Sequence, residues 1–184
     1  MTIRCCSVFC GSRTGHDPAY MQAARALGTA LGNAGITLVY GGGKAGLMGA
    51  VADATLQAGG TVKGVIPRFL EAREILHEGV TDLEITEDMP ARKARLFDMA
   101  DAYIVLPGGF GTFDEFSEVL VNRQLGLSRR PIIILNTRGW ADPLIALLDA
   151  TRQQGFADEG AQTLYEVVDD VAGVIRRLQE PSHA

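Results

Sequence analysis

The run Leu106-Pro107-Gly108-Gly109-Phe110-Gly111-Thr112-Phe113-Asp114-Glu115 puts bare backbone amides and a carboxylate side by side. Glycines at 108, 109 and 111 leave no Cβ to hold a ligand off the backbone, and a helix that starts here opens with N–H groups lacking partners of their own. Such a helix end binds phosphate. Glu115 falls one turn inside the helix, near enough to act on whatever carries that phosphate. The same spacing allows a purely structural role. Thr112 and Glu115 fit the T-x-x-E capping box, in which the glutamate returns to the Thr112 amide. A helix start does not require three glycines and their conformational entropy, and this favours binding and chemistry over capping.

Arg92 is the second residue with chemical potential. Met89, Leu96, Met99 and Ala100 fall on one helical face, and Arg92 sits inside that apolar stripe. A guanidinium there is costly unless it meets an anion or several acceptors, so it implies a partner; the alternative is an arginine snorkelling at the rim. Lys93 and Glu118 read as solvated side chains. Two further turns, Gly11-Ser12-Arg13-Thr14-Gly15 and Gly41-Gly42-Gly43-Lys44-Ala45-Gly46, follow apolar runs. Gly41, Gly43 and Gly46 satisfy G-x-G-x-x-G, yet no acidic residue ends a strand about 20 residues later to hold a ribose. Lys44 followed by Ala45 breaks the Walker pattern. The expectation is a nucleotide or sugar phosphate against this loop, not a dinucleotide. Between Pro67 and Val80, the segment with Glu74 and His77 reads as a charged lid or exposed helix.

The elements that must position these residues alternate along the chain. Strand candidates are Ile3–Phe9, Ile36–Tyr40, Thr61–Ile66, Leu83–Thr86, Ala102–Leu106, Pro131–Asn136 and Leu164–Val168, separated mostly by helical spacing. That rhythm predicts an α/β fold, a doubly wound parallel sheet of about seven strands with helices on both faces. Asp17-Pro18 and Asp142-Pro143 each place an N-cap before a proline at the first helical position, and Gly35 ends the first helix after Ala34. In such sheets ligands bind beyond the carboxyl ends of the strands, where strand order reverses. All three glycine turns are therefore expected at one edge.

Composition bounds the rest. With 184 residues, 47% of them hydrophobic, the chain can build one substantial core, and residues 1–180 are expected to form a single domain with a loose tail at 181–184. A net charge of −5 disfavours nucleic acid and anionic membranes as partners. The apolar start, Ile3 to Phe9, is too short for a signal core or a membrane span, which points to the cytoplasm. Cysteines 5, 6 and 10 lie on or beside one strand, so they read as buried free thiols, and no His or Cys cluster completes a metal site.

Taken together, these motifs resemble the LONELY GUY (LOG) family. Pro107 to Glu115 fits its P-G-G-x-G-T-x-x-E signature, and Arg92-Lys93 lies fifteen residues before that proline, as the family's Arg-Lys pair does. Cys10-Gly11-Ser12, Val39-Tyr40-Gly41-Gly42-Gly43, Gly46-Leu47-Met48-Gly49, Gly64-Val65-Ile66-Pro67 and Gln124-Leu125-Gly126 extend the match from the first strand to about Phe156. The resemblance implies a Rossmann-like fold, a homodimer, and no redox cofactor or essential metal. The implied activity is hydrolysis of the N-glycosidic bond of a cytokinin riboside 5′-monophosphate, an N6-modified AMP, to free base and ribose 5-phosphate, with plain AMP accepted by many bacterial relatives. Carried over by position, Arg92 and Glu115 correspond to the catalytic pair. Glu74, Arg92, Lys93 and the run Gly109, Phe110, Gly111, Thr112, Phe113, Asp114 and Glu115 match nucleotide-contacting positions. Ser12, Gly42, Gly43 and Met89 are additional candidate contacts. Val121 departs from the threonine of plant members and loses a hydroxyl contact, whereas Asp114 keeps the charge of the more usual Glu.

Relatives of this kind are also labelled lysine decarboxylases. Pyridoxal phosphate chemistry needs a Schiff-base lysine and a partner for the pyridinium nitrogen. Lys44, Lys63 and Lys93 are the only lysines, and none has a recognisable setting for that role. A nucleotide-binding module without catalysis is the competing class, because the phosphate cradle would serve either purpose.

Overall fold

Strand β6 (Ile132–Leu135), Ile-Ile-Ile-Leu, is apolar at every position, as a parallel strand covered on both faces must be. A computed structural model, describing residues 2–71 and 76–180, sets it in a sheet with β1 (Cys5–Phe9), β2 (Thr37–Tyr40), β3 (Val62–Pro67), β4 (Asp82–Thr86), β5 (Ala102–Val105) and β7 (Glu166–Val168). All neighbours pair in parallel, in the order β4-β3-β2-β1-β5-β6-β7. The helices are α1 (Pro18–Asn33), α2 (Gly46–Gln57), the single turn α3 (Arg68–Glu71), α4 (Met89–Asp98), α5 (Phe110–Gln124), α6 (Asp142–Gln153) and α7 (Val171–Gln179). The tail at 181–184 and Glu74 lie outside the described residues.

The period-2 alternation of the strands sorts the core into two layers. Val8, Leu38, Val62 and Ile104 face α1, α2 and α7 through Leu27, Leu31, Val51, Val174 and Leu178. Their neighbours Phe9, Val39, Val65 and Tyr103 face α4 and α5 through Leu96, Phe97, Phe116 and Val119. Helices therefore cover both faces, as the alternating sequence requires. On the second face Phe9 stacks on Tyr103 at 5.8 Å and meets Phe97 edge-on at 6.0 Å, contacts worth about 0.5–1.5 kcal/mol each beyond burial.

Strand ends differ from their sequence boundaries for local reasons. The amides of Arg4 and Cys5 donate to the Asp101 carboxylate at 2.8 and 3.0 Å, which delays the first ladder to Cys5. Pro131 has no N–H, so β6 begins at Ile132. Leu164 and Tyr165 are not strand: a 3₁₀ turn over Glu159–Thr163 runs into Leu164, whose amide donates to the Ala161 carbonyl. Asp17 caps α1 by accepting from the Ala19 amide at 2.8 Å, and Gly35 stands at φ +67° after the last turn. Asp142, expected as a cap, is instead the first residue of α6 and accepts from the Asn136 amide group.

The chain runs outward from β1 to β4, then returns to the other side of β1 with β5. The carboxyl ends of β1 and β5 are thus the switch point. The Gly11 amide donates to the Pro107 carbonyl at 3.0 Å, and the Leu47 and Met48 amides at the start of α2 donate to the Gly11 carbonyl. All three glycine turns meet at this edge.

Candidate active site

α5 starts at Phe110, with extended Gly109 as a cap that offers no side chain. Its first internal bond is from the Phe113 amide to the Gly109 carbonyl, so the amides of Phe110, Gly111 and Thr112 precede the intrahelical ladder. A Cβ at Gly109 or Gly111 would meet nothing within 4 Å, so these glycines leave the amides open and fill no packing need. Gly108 differs: a Cβ there would strike the Thr112 hydroxyl.

The capping alternative fails on this geometry. Thr112 is the third residue of the helix, not its cap, and Glu115 lies a turn and a half inside it. The Glu115 Oε1 accepts from Arg92 Nη1 at 3.0 Å, with both side chains about nine-tenths buried. Arg92 comes from α4, whose cap Asp88 accepts from the Ala91 amide at 2.8 Å and thereby fixes the first turn. Its Nε donates to the Val65 carbonyl of β3 at 3.1 Å. The arginine in the apolar stripe has its partners, and the snorkelling alternative falls.

Burial pushes the Glu115 carboxyl up to about 7, against the pull of Arg92; Asp114 adds to the rise and Lys93 opposes it. The neighbouring Cys10 thiol is raised by burial and by the Glu115 charge, and is not poised as a nucleophile.

A cavity of about 860 Å³ lies over this edge. Arg92, Glu115, Gly109, Gly111 and Thr112 line it, as do Phe110, Ser12 and Met89. Other expected contacts are elsewhere. Lys93, one position round the helix from Arg92, holds Asp114 at 3.0 Å and Glu118 at 2.7 Å, so neither Lys93 nor Glu118 is merely solvated. Phe113 stacks on Trp140 at 5.7 Å. Gly42 and Gly43 are buried behind Gly41 and off the cavity wall; the Gly42 carbonyl accepts from the His77 amide and Gly43 bridges Leu76. Gly42 stands at φ +78° and a Cβ on it would press on Leu83 and Ile66, so its glycine character serves packing within the protein. His77 is buried, 2.9 Å from Asp53, and accepts from the Gly79 amide, so this end of the expected lid is anchored. Val121 is half exposed and off the wall.

Sequence reasoning did not assign roles to Cys10, Arg13 or Trp140, which line the cavity, and at Gly41 it expected a phosphate without foreseeing the guanidinium that lies against that glycine. Only their place after β1, β2 and β6 signalled it. Gly41 is the most consequential, since a Cβ there would collide with Arg92 Nη2. Gly41→Ala is expected to displace the guanidinium from Glu115, lowering kcat/KM by about 10–100-fold and the melting temperature with it, because both buried charges lose their partner; steady-state kinetics and thermal unfolding check this.

These features define a Rossmann-like α/β protein with a cleft at its topological switch point, lined by the open amides of a helix start and by a buried acid–arginine pair. Comparison with known proteins agrees. A family model described as "Possible lysine decarboxylase" matches residues 48–178. A cytokinin riboside 5′-monophosphate phosphoribohydrolase of Rhodococcoides fascians is 40% identical over 176 residues, covering 95% of this chain and 89% of that protein. One of the same name from Arabidopsis thaliana is 41% identical over 173 residues, covering 94% and 80%. The solved Moco carrier protein of Chlamydomonas reinhardtii shares the fold, with a TM-score of 0.71, 23% identity and coverage of 95% and 94%. The chain belongs to the LOG family.

The decarboxylase description in the family model finds no support in the wall of the cleft, which includes no lysine. Among the described residues no group of three or more His, Cys, Asp or Glu stands together as a metal site, and no helix is long and apolar enough to cross a membrane.

Proposed function

We propose that this protein is a phosphoribohydrolase that cleaves the N-glycosidic bond of N6-modified adenosine 5′-monophosphates, and of AMP, to free base and ribose 5-phosphate. The observation that carries this reading is the buried Arg92–Glu115 pair at 3.0 Å, beside the open amides of α5 in one cleft. The amides of Gly109, Gly111 and Thr112, with the Thr112 hydroxyl, hold the 5′-phosphate at the positive end of the helix. Glu115 then lies against the ribose. As C1′–N9 breaks, positive charge grows on the sugar, and the ionised carboxylate stabilises it and aligns the water that adds to C1′. The base leaves with the electron pair of the broken bond and takes up a proton. Arg92 holds the carboxylate in place and orients the nucleotide.

The reading extends to the setting of the protein. Cys5, Cys6 and Cys10 are free, which suits a reducing cytoplasm. Val121, Leu125 and Leu127 at the end of α5 and beyond it are exposed apolar residues, which suit a homodimer.

Incubation with AMP and with isopentenyladenosine monophosphate tests the activity. Ribose 5-phosphate and free base are expected from at least one, and no product from either rejects the reading. The pH dependence follows from Glu115. Its carboxyl rises from 4.5 to about 7 on folding, so kcat/KM should increase about tenfold per pH unit below 7 and level off above it. Stability runs the other way. The contribution of this group is full below 4.5 and is lost as pH rises through 7. A pH–rate profile flat from 5 to 8 would contradict the role given to the carboxylate.

A further inference from the structure

The wall of the cleft carries its charges unevenly. Arg13, His16, Asp17, Arg92 and Glu115 line it. Arg92 is matched by Glu115 at 3.0 Å, and Asp17 by Arg138 at 3.3 Å. Among the described residues Arg13 has no ion pair and no side-chain hydrogen bond to the protein. It is the arginine of the wall without a countercharge.

Its backbone is nonetheless fixed. The Gly11 amide is bonded to the Pro107 carbonyl at 3.0 Å, and a Cβ on Gly11 would sit 3.2 Å from the Gly108 Cα, so the turn after β1 lies flat on the turn after β5. On its other side Gly46 stands at φ +59°, and a Cβ there would strike the backbone of Ser12 and Arg13. The guanidinium therefore starts from a paired turn on the wall of the same cleft as the open amides of α5.

A phosphate monoester at neutral pH carries roughly 1.5–2 negative charges. The helix end offers only about half a positive charge. The protein as a whole carries −5, and Arg92 is already committed to Glu115. A full cation is missing from the cradle, and a guanidinium fork matches two phosphate oxygens.

We propose that Arg13 is the clamp for the 5′-phosphate and the residue that makes the cleft select nucleoside monophosphates over nucleosides; this rests on the phosphoribohydrolase reading of the same site. Arg13 contributes to ground state and transition state alike, because the phosphate does not change during glycosidic cleavage. Its loss therefore appears in KM and not in kcat.

Arg13→Gln and Arg13→Lys test this, by steady-state kinetics on AMP and adenosine and by calorimetry with ribose 5-phosphate. For Arg13→Gln, the KM for AMP should rise about 10–100-fold with kcat within threefold, and affinity for ribose 5-phosphate should fall by a similar factor. Arg13→Lys restores the charge but not the two-pronged contact, so it should recover only part of both, and kcat/KM for adenosine should stay at the wild-type value. Unchanged KM and unchanged ribose 5-phosphate affinity would overturn the proposal, as would an equal loss on adenosine or a fall in kcat alone. If the wild type turns over no nucleotide, the hydrolase reading fails and calorimetry still decides on Arg13. Weaker ribose 5-phosphate binding by Arg13→Gln supports the clamp, and equal binding, or none by the wild type, removes it.

Discussion

Replacing Glu115 with glutamine is expected to lower kcat by at least about 10³-fold while AMP still binds within a few-fold of the wild type. The amide is isosteric with the protonated carboxyl and can still accept from Arg92 Nη1, which the wild type meets at 3.0 Å, so the cleft keeps its shape. It loses the negative charge that the growing sugar cation needs. The same substitution should change stability in the opposite sense from activity. The wild-type carboxyl rises from 4.5 to about 7, so ionising it within the fold costs about 3 kcal/mol, and a glutamine is spared that cost. The two proteins should unfold with similar free energies near pH 4.5, and the variant should become the more stable as pH passes 7. Denaturant titrations at several pH values check this. A variant that keeps activity and loses stability at every pH would return Glu115 to a structural role.

Arg92→Met is expected to be nearly as damaging, for a different reason. Arg92 is the group that holds the buried Glu115 carboxyl down against desolvation, so its removal should move that carboxyl upward by roughly 1–3 pH units. At pH 7 Glu115 would then be largely protonated, and the bond to the Val65 carbonyl would also be lost. We expect kcat/KM to fall by at least about 100-fold at pH 7, with part of the loss regained as pH is raised beyond the wild-type plateau. Arg92→Met differs from Glu115→Gln in this partial alkaline recovery, because only the arginine variant keeps a carboxyl to ionise. A loss that is the same at every pH would mean that Arg92 acts on the substrate and not through Glu115.

Periodicity made the sheet legible because both faces of each strand are buried. Runs such as Ile132 to Leu135 have no polar face to confuse with a helix, and glycine or proline marks their ends. What blurred the boundaries was side-chain chemistry that spacing does not encode, as where Asp101 takes the amides of Arg4 and Cys5. The Arg92–Glu115 pair was half legible. A guanidinium inside an apolar stripe demands an acceptor, and a glycine turn before Glu115 suggests a ligand, but their meeting at 3.0 Å depends on α4 and α5 crossing the sheet to the same side. Resemblance to the LOG family supplied that link before the structure did. At positions 41 and 42 a glycine needed for close protein packing and one needed for a ligand look alike in sequence. Gly41 makes room for a guanidinium, and Gly42 accepts from the buried turn at His77. Lys93, which spacing alone reads as solvated, is paired within the protein. Its ammonium lies between Asp114 and Glu118, and no one-dimensional pattern ties those three together.

The central claim is that water attacks C1′ of a nucleoside monophosphate in this cleft. A single rapid turnover of AMP or isopentenyladenosine monophosphate in ¹⁸O-labelled water, with the sugar product trapped at once by borohydride reduction and authentic ribose 5-phosphate carried through the same steps to subtract exchange of its C1 oxygen, tests it most directly by mass spectrometry. One labelled oxygen is predicted in ribose 5-phosphate, with none in the released base and no inorganic phosphate formed. Label appearing in inorganic phosphate, or nucleotide recovered intact at high protein concentration, would contradict it.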